Sequence, residues 1–312
     1  MDSLQFKNPI EPAGSRFFVQ TVALHFTLVR LLFNLLKQQH ITSAKNEDRE
    51  GEDSGMATII SFVSQKGGVG KTTSAINLAT ALAFGGYSVL LVDLDPQSSI
   101  RFSMGVQETI LQGTRELFLE PQTTLKQLVQ ETIQENMDFI FSNIDTLKSE
   151  REVLEVGESA DYLLNRITEV SEEYDFVVID APSSTSNMAI NAIYAADLIV
   201  LPIQCENLAI KSLKRFLHSF NELRSSFADK DLKLAGILLT MFDRKIEIHR
   251  RIGQQIYKAL SGSVFETIIP RNDAIVEASA LGKSVITHNL SSIGATAYIR
   301  LMNELVDKFD LR

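Results

Sequence analysis

Two lysines bracket a glycine run in Lys66-Gly67-Gly68-Val69-Gly70-Lys71-Thr72-Thr73. The chemistry open to such a run is phosphate binding. Glycines lack a Cβ, so successive backbone N–H groups can converge on phosphate oxygens. The apolar stretch Ile59-Ile60-Ser61-Phe62-Val63 precedes the run and reads as a strand, and Thr72 to Phe84 reads as a helix. A helix starting there aims its positive end at the same phosphates. Lys71 then supplies a point charge to the β- and γ-phosphates, and the Thr72 hydroxyl is the expected Mg²⁺ ligand. The expected nucleotide cradle is therefore Gly67, Gly68, Val69, Gly70, Lys71, Thr72 and Thr73.

Two acidic stations complete this chemistry. Val89-Leu90-Leu91-Val92-Asp93-Leu94-Asp95 is an apolar strand ending in carboxylates, and Phe176-Val177-Val178-Ile179-Asp180 is a second. In a parallel sheet the carboxyl ends of the strands open onto the ligand crevice. Asp180 is expected to hold the water shell of Mg²⁺, which favours one or two carboxylates plus waters and phosphates. Asp95 is expected to orient the attacking water, while Asp93 also reads as a simple strand-end cap.

These residues need a scaffold. Short β-rich runs recur at Thr58 to Val63, Ser88 to Val92, Phe139 to Ser142, Phe176 to Ile179, Leu198 to Pro202, Leu234 to Leu239 and Val264 to Ile268. Helical stretches such as Ala209 to Phe227 separate them. The alternation predicts an α/β fold: a doubly wound, mainly parallel sheet flanked by helices. That domain is expected over 56–312. Residues 1–55 read as an extension with one amphipathic helix, Phe17 to Gln38, and a charged linker from Lys45 to Gly55. The helix suits packing on its own domain or a second subunit, or contact with a membrane surface. Translation from Met56 would remove it altogether.

Composition narrows the classes. The formal net charge is −9, so any nucleic-acid contact must come from a local basic patch. The single cysteine, Cys205, excludes an intrachain disulfide and any iron–sulfur or cysteine-rich zinc centre, and fits a reducing cytoplasm. No secretory signal is evident, and the apolar stretch Phe17 to Leu36 is interrupted by Gln20, His25, Arg30 and Asn34, a load that a spanning helix rarely carries.

Lys66 is unnecessary for an ordinary phosphate loop. Lys66-Gly67-Gly68-Val69-Gly70-Lys71-Thr72-Thr73 closely resembles the deviant Walker A box of the ParA/MinD family, and other runs are similar to that family too. They are Asp93-Leu94-Asp95-Pro96-Gln97, Tyr174 to Pro182, Leu201 to Glu206, Phe265 to Asn272 and Glu277-Ala278. The resemblance spans roughly residues 56 to 309. It implies an ATP-dependent homodimer in which Lys66 reaches the partner's phosphates, with ATP and Mg²⁺ as cofactors and slow hydrolysis as a timer. Lys66, Lys71 and Asp95 would form the catalytic set. The adenine would lie near Thr240 to Asp243 and Pro270-Arg271, giving Asp243, Pro270 and Arg271 as further nucleotide contacts. One departure stands out: after Asp180 the family commonly shows two prolines and a glycine, whereas this chain has Pro182-Ser183-Ser184-Thr185-Ser186.

Within the family, a partition role needs a basic surface. Lys211, Lys214, Arg215 and His218 fall on one helical face, and Arg244, Lys245, His249, Arg250 and Arg251 form a second cluster. These residues suit sequence-independent binding of DNA phosphates. A C-terminal membrane anchor of the MinD kind is disfavoured by Glu304, Asp307 and Asp310. The resemblance implies a partition ATPase that segregates plasmid or chromosome DNA with a ParB-type partner, at the nucleoid in the cytoplasm. The alternatives are an ATPase that positions a protein cargo on the nucleoid and a MinD-like membrane-associated ATPase.

Overall fold

The computed structural model describes residues 55–106, 112–132, 134–144, 146–155, 159–227 and 230–311. The helix expected over Phe17 to Gln38 lies outside the described residues.

Among the described residues, one sheet holds β1 (Thr58–Phe62), β2 (Val89–Asp93), β3 (Gln130–Glu131), β4 (Met137–Ile140), β5 (Phe176–Asp180), β6 (Leu198–Gln204) and β7 (Lys233–Thr240). The spatial order is β3-β4-β2-β5-β1-β6-β7. Every pairing is parallel except the short edge strand β3, which runs antiparallel to β4. Every residue of β2 and β5 is buried, as central parallel strands covered on both faces must be. The expected mainly parallel architecture is therefore present.

The longer helices are α1 (Lys71–Phe84), α2 (Leu147–Glu155), α3 (Asn187–Ala195), α4 (Ala209–Ser226), α5 (Glu247–Leu260), α6 (Asp273–Ala280) and α7 (Ile293–Phe309). α1 is buried over most of its length, and its alanines 75, 79, 81 and 83 let neighbouring backbones approach closely. α7 lies against it, with the hydroxyls of Ser74 and Tyr298 3.3 Å apart. The Asn77 side chain accepts from the Val285 N–H at 2.8 Å. These contacts fix the helix that begins at the glycine run.

One expected strand is corrected. Val264 to Ile268 forms no ladder, only an isolated bridge from Val264 to Ile237, followed by another between Phe242 and Pro270. The Glu304 carboxylate accepts the N–H groups of Glu266 and Thr267 at 2.7 and 2.9 Å. Two donors that a ladder would need are thus directed to a side chain. The two-residue strand β3 was not expected, because a run that short carries no alternation to read.

Candidate functional site

The glycine loop joins the carboxyl end of β1 to α1. Gly68 and Gly70 have φ of 75° and 85°, the left-handed region that favours glycine. Gly70 is also the N-cap of α1. A Cβ placed on Gly67 or Gly68 would meet no protein atom within 4 Å, so the loop faces open space. The Thr240 hydroxyl donates to the Val69 carbonyl at 2.7 Å and ties the loop to the end of β7.

A cleft of about 680 Å³ adjoins this loop. Gly67, Gly68, Gly70, Lys71, Thr72 and Thr73 line it, and so does Asp95. The sequence reading missed Ser183 and Glu150, which also line it, together with Met241 from the stretch expected near the adenine. Lys71 is only 5% exposed, and its ammonium donates to the Ser183 hydroxyl. Ser183 belongs to the segment that departs from the family pattern, and that departure was the available signal.

Thr72 donates to Asp180 Oδ2 at 2.6 Å, whereas Asp180 Oδ1 is buried and has no hydrogen-bond partner. An orphaned carboxylate oxygen beside a hydroxyl is a donor set suited to Mg²⁺ and its water shell. Burial pushes the Asp180 carboxyl up to about 7, opposed by the Thr72 hydrogen bond and the Lys71 charge. Asp93 pairs with Asp180 in the sheet register. Burial, then the Asp180 charge, holds Asp93 well above the usual carboxylate range. Asp93 accepts the N–H groups of Asp95 and Ile100 at 3.0 and 3.2 Å, which makes it the cap of the loop after β2. Asp95 lines the cleft, whereas Asp93 and Asp180, both fully buried, do not.

Lys66 is not in this cleft. Its ammonium pairs with Glu206 Oε2 at 2.5 Å and lines a separate hollow with Gln204 and Arg215. Asp243, Pro270 and Arg271 are brought together, since Arg271 N–H donates to the Phe242 carbonyl at 3.1 Å. They line a second, larger cleft of about 1390 Å³, while Met241 reaches the loop cleft.

Of the expected cationic clusters, Lys211, Lys214, Arg215 and His218 are exposed on α4, and Arg244, Lys245, Arg250 and Arg251 are exposed at and before α5. Among the described residues, the seven lysines and arginines form no ion pair. His249 is a correction. It is buried against Phe242, and its Nδ1 accepts from the Asp243 N–H at 3.0 Å, so it serves the core and not the basic surface.

The comparisons with known proteins decide the family. A family model described as an AAA domain matches residues 57–234. The sporulation initiation inhibitor protein Soj of Bacillus subtilis is 33% identical over 250 residues, covering 80% of this chain and 98% of Soj. The chromosome partitioning protein ParA of Myxococcus xanthus is likewise 33% identical over 250 residues, covering 80% and 88%. The chain belongs to the ParA/MinD family of P-loop ATPases. Among solved structures, it is similar to the septum site-determining protein MinD of Pyrococcus horikoshii OT3 complexed with Mg-ADP. That similarity has 26% identity and a TM-score of 0.69, over 82% of this chain and 98% of MinD. No helix among the described residues of this ParA/MinD-family chain is long and apolar enough to cross a membrane. Its lone cysteine, Cys205, is buried.

Proposed function

We propose that this chain is a partition ATPase: it binds ATP and Mg²⁺, pairs with a second copy, holds DNA without reading sequence, and segregates plasmid or chromosome DNA with a ParB-type partner. The observation that carries the nucleotide chemistry is the contact between Thr72 and Asp180 beneath an open glycine loop. In this reading residues 56–312 act as the ATPase domain. Gly67 to Thr73 bind the phosphates through their backbone, and Lys71 neutralises them. Thr72 holds Mg²⁺ directly and Asp180 holds it through water. When bound, Mg²⁺ supplies charge for the phosphate oxygens during transfer to water. Asp95 orients that water, and Lys66 acts on the phosphates of the second copy. Asp243, Pro270 and Arg271 hold the adenine end. Hydrolysis is slow until the partner protein accelerates it.

Two similar proteins are named for partitioning or sporulation control, and the exposed cations on α4 and α5 supply the phosphate-binding face that DNA requires. That face supports placement at the nucleoid in the cytoplasm in this reading. Positioning of a protein cargo over the nucleoid uses the same parts and is the second reading. A MinD-like membrane role is less well supported. Tyr298, Leu301, Met302 and Leu305 of α7 are buried, so the apolar face of the C-terminal helix is engaged in the core.

The test is DNA co-sedimentation with ATP and Mg²⁺. Arg250→Glu with Arg251→Glu should abolish DNA binding and leave ATP affinity intact. Unchanged DNA affinity in that variant overturns the DNA assignment. The hydrolysis rate with DNA, then with a candidate partner, tests the rest.

A further inference from the structure

Lys66 lies just past β1, after Val63, Ser64 and Gln65, yet it is not among the residues lining the neighbouring phosphate cleft. It meets Glu206 instead, 140 positions later in the chain, at 2.5 Å. Both ends of this contact are anchored. The Lys66 N–H donates to the Ser64 hydroxyl at 3.3 Å, just past β1. The Glu206 N–H donates to the Gln204 carbonyl at 2.8 Å, and the Glu206 carbonyl accepts from Ala209, the first residue of α4. The carboxylate is thus presented from the junction of β6 and α4, beside the strand that carries the glycine loop.

From this geometry we infer that Glu206 is a positioning residue for Lys66. It holds the lysine on its own chain until a second copy offers phosphate oxygens in exchange. The inference rests on the proposed reading of Lys66 as the residue that acts on the second copy. One ammonium cannot make a close pair with its own Glu206 and with phosphates across an interface at once. The carboxylate therefore competes directly with nucleotide-driven association. A triphosphate carries more negative charge than one carboxylate, so ATP with Mg²⁺ wins the exchange, while ADP, without the γ-phosphate, offers less. The pair is about one-third to one-half exposed, with side chains 35% and 45% accessible, so it is weak enough to be broken reversibly.

Association of two chains breaks one such pair in each. Glu206→Gln keeps the shape and an acceptor oxygen but removes the charge. Sedimentation equilibrium of the full chain in Mg²⁺ and a non-hydrolysable ATP analogue should show the dissociation constant of the variant pair falling by about 2- to 30-fold. Lys66→Ala should erase that gain in the double variant. A second measurement uses nucleotide-free protein: the NMR signal of ¹³C-methylated Lys66 should move on Glu206→Gln, while other lysine signals stay in place. Association that is unchanged or weakened in Glu206→Gln, with the wild-type chain pairing normally, overturns the role of Glu206 alone. An unmoved Lys66 signal does the same. A wild-type chain that shows no nucleotide-dependent pairing overturns the reading of Lys66 and this inference together.

Discussion

The Thr72 hydroxyl, on the first turn of α1, donates to Asp180 at the end of β5 at 2.6 Å, across 108 positions of sequence. The contact joins the phosphate loop to the acidic strand end and leaves the other Asp180 oxygen buried without a partner. One hydroxyl and one carboxylate with an unpartnered oxygen are therefore in contact at the foot of the loop, a donor pair that suits a divalent cation with its waters.

Thr72→Ala and Asp180→Asn should each weaken Mg²⁺-dependent ATP binding by about 10- to 100-fold. ATP binding measured in EDTA should change far less, because Lys71 and the loop N–H groups remain. Calorimetric titration with and without Mg²⁺ reads the difference. Equal losses in both conditions would mean that the pair serves the fold and not the metal.

The same carboxyl makes stability depend on pH. Asp180 has its pKa raised from 3.8 to about 7, first by burial. The folded chain therefore holds a proton that the unfolded chain releases near its ordinary carboxylate pKa. Stability from this group is full below that ordinary value and is lost as pH rises through about 7. Asp93 adds to the trend in the same direction. Urea unfolding of metal-free protein should give lower stability at pH 8 than at pH 6. At pH 8, Asp180→Asn should be stabilising, on the order of 1–3 kcal/mol, with a shallower pH slope. A flat wild-type profile with a neutral substitution would contradict this.

Two glycine substitutions should separate strain from collision. Gly68 has φ of 75° but open space around a new Cβ, so Gly68→Ala should cost about 1 kcal/mol of stability while blocking phosphate approach. In Gly113→Ala the new Cβ would lie 2.2 Å from the Phe141 carbonyl oxygen, just beyond β4. That substitution should cost about 3 kcal/mol and leave the nucleotide affinity of the remaining folded protein unchanged. Thermal unfolding paired with ATP titration distinguishes the two.

Cys205 is fully buried, and burial pushes its thiol up to about 11. The thiolate is the reactive form, so the native thiol should resist Ellman's reagent at pH 8 and react at once in urea. Fast native reaction would show that the start of α4 opens readily.

Much of the site is legible along the chain because its parts are local. The glycine spacing, the strand before it and the helix after it lie within about thirty residues, and backbone conformation there depends on residue type more than on distant contacts. The strand ends that carry Asp180 and lead into Asp95 are legible for the same reason, since an apolar run fixes the strand and so where it stops. Partner choice is different. Nothing local says that Lys71 meets Ser183, that His249 turns inward to the Asp243 N–H, or that Glu304 takes the N–H groups expected to form a last strand. Least local of all is Lys66, which the sequence marks as a cation beside phosphates and which the fold pairs with Glu206. Residue types determined which charges and donors this protein owns. Only the packing of β1, β6 and α4 decided which of them meet, because hydrogen bonds and ion pairs fall off within a few ångströms and chain separation carries no measure of that distance.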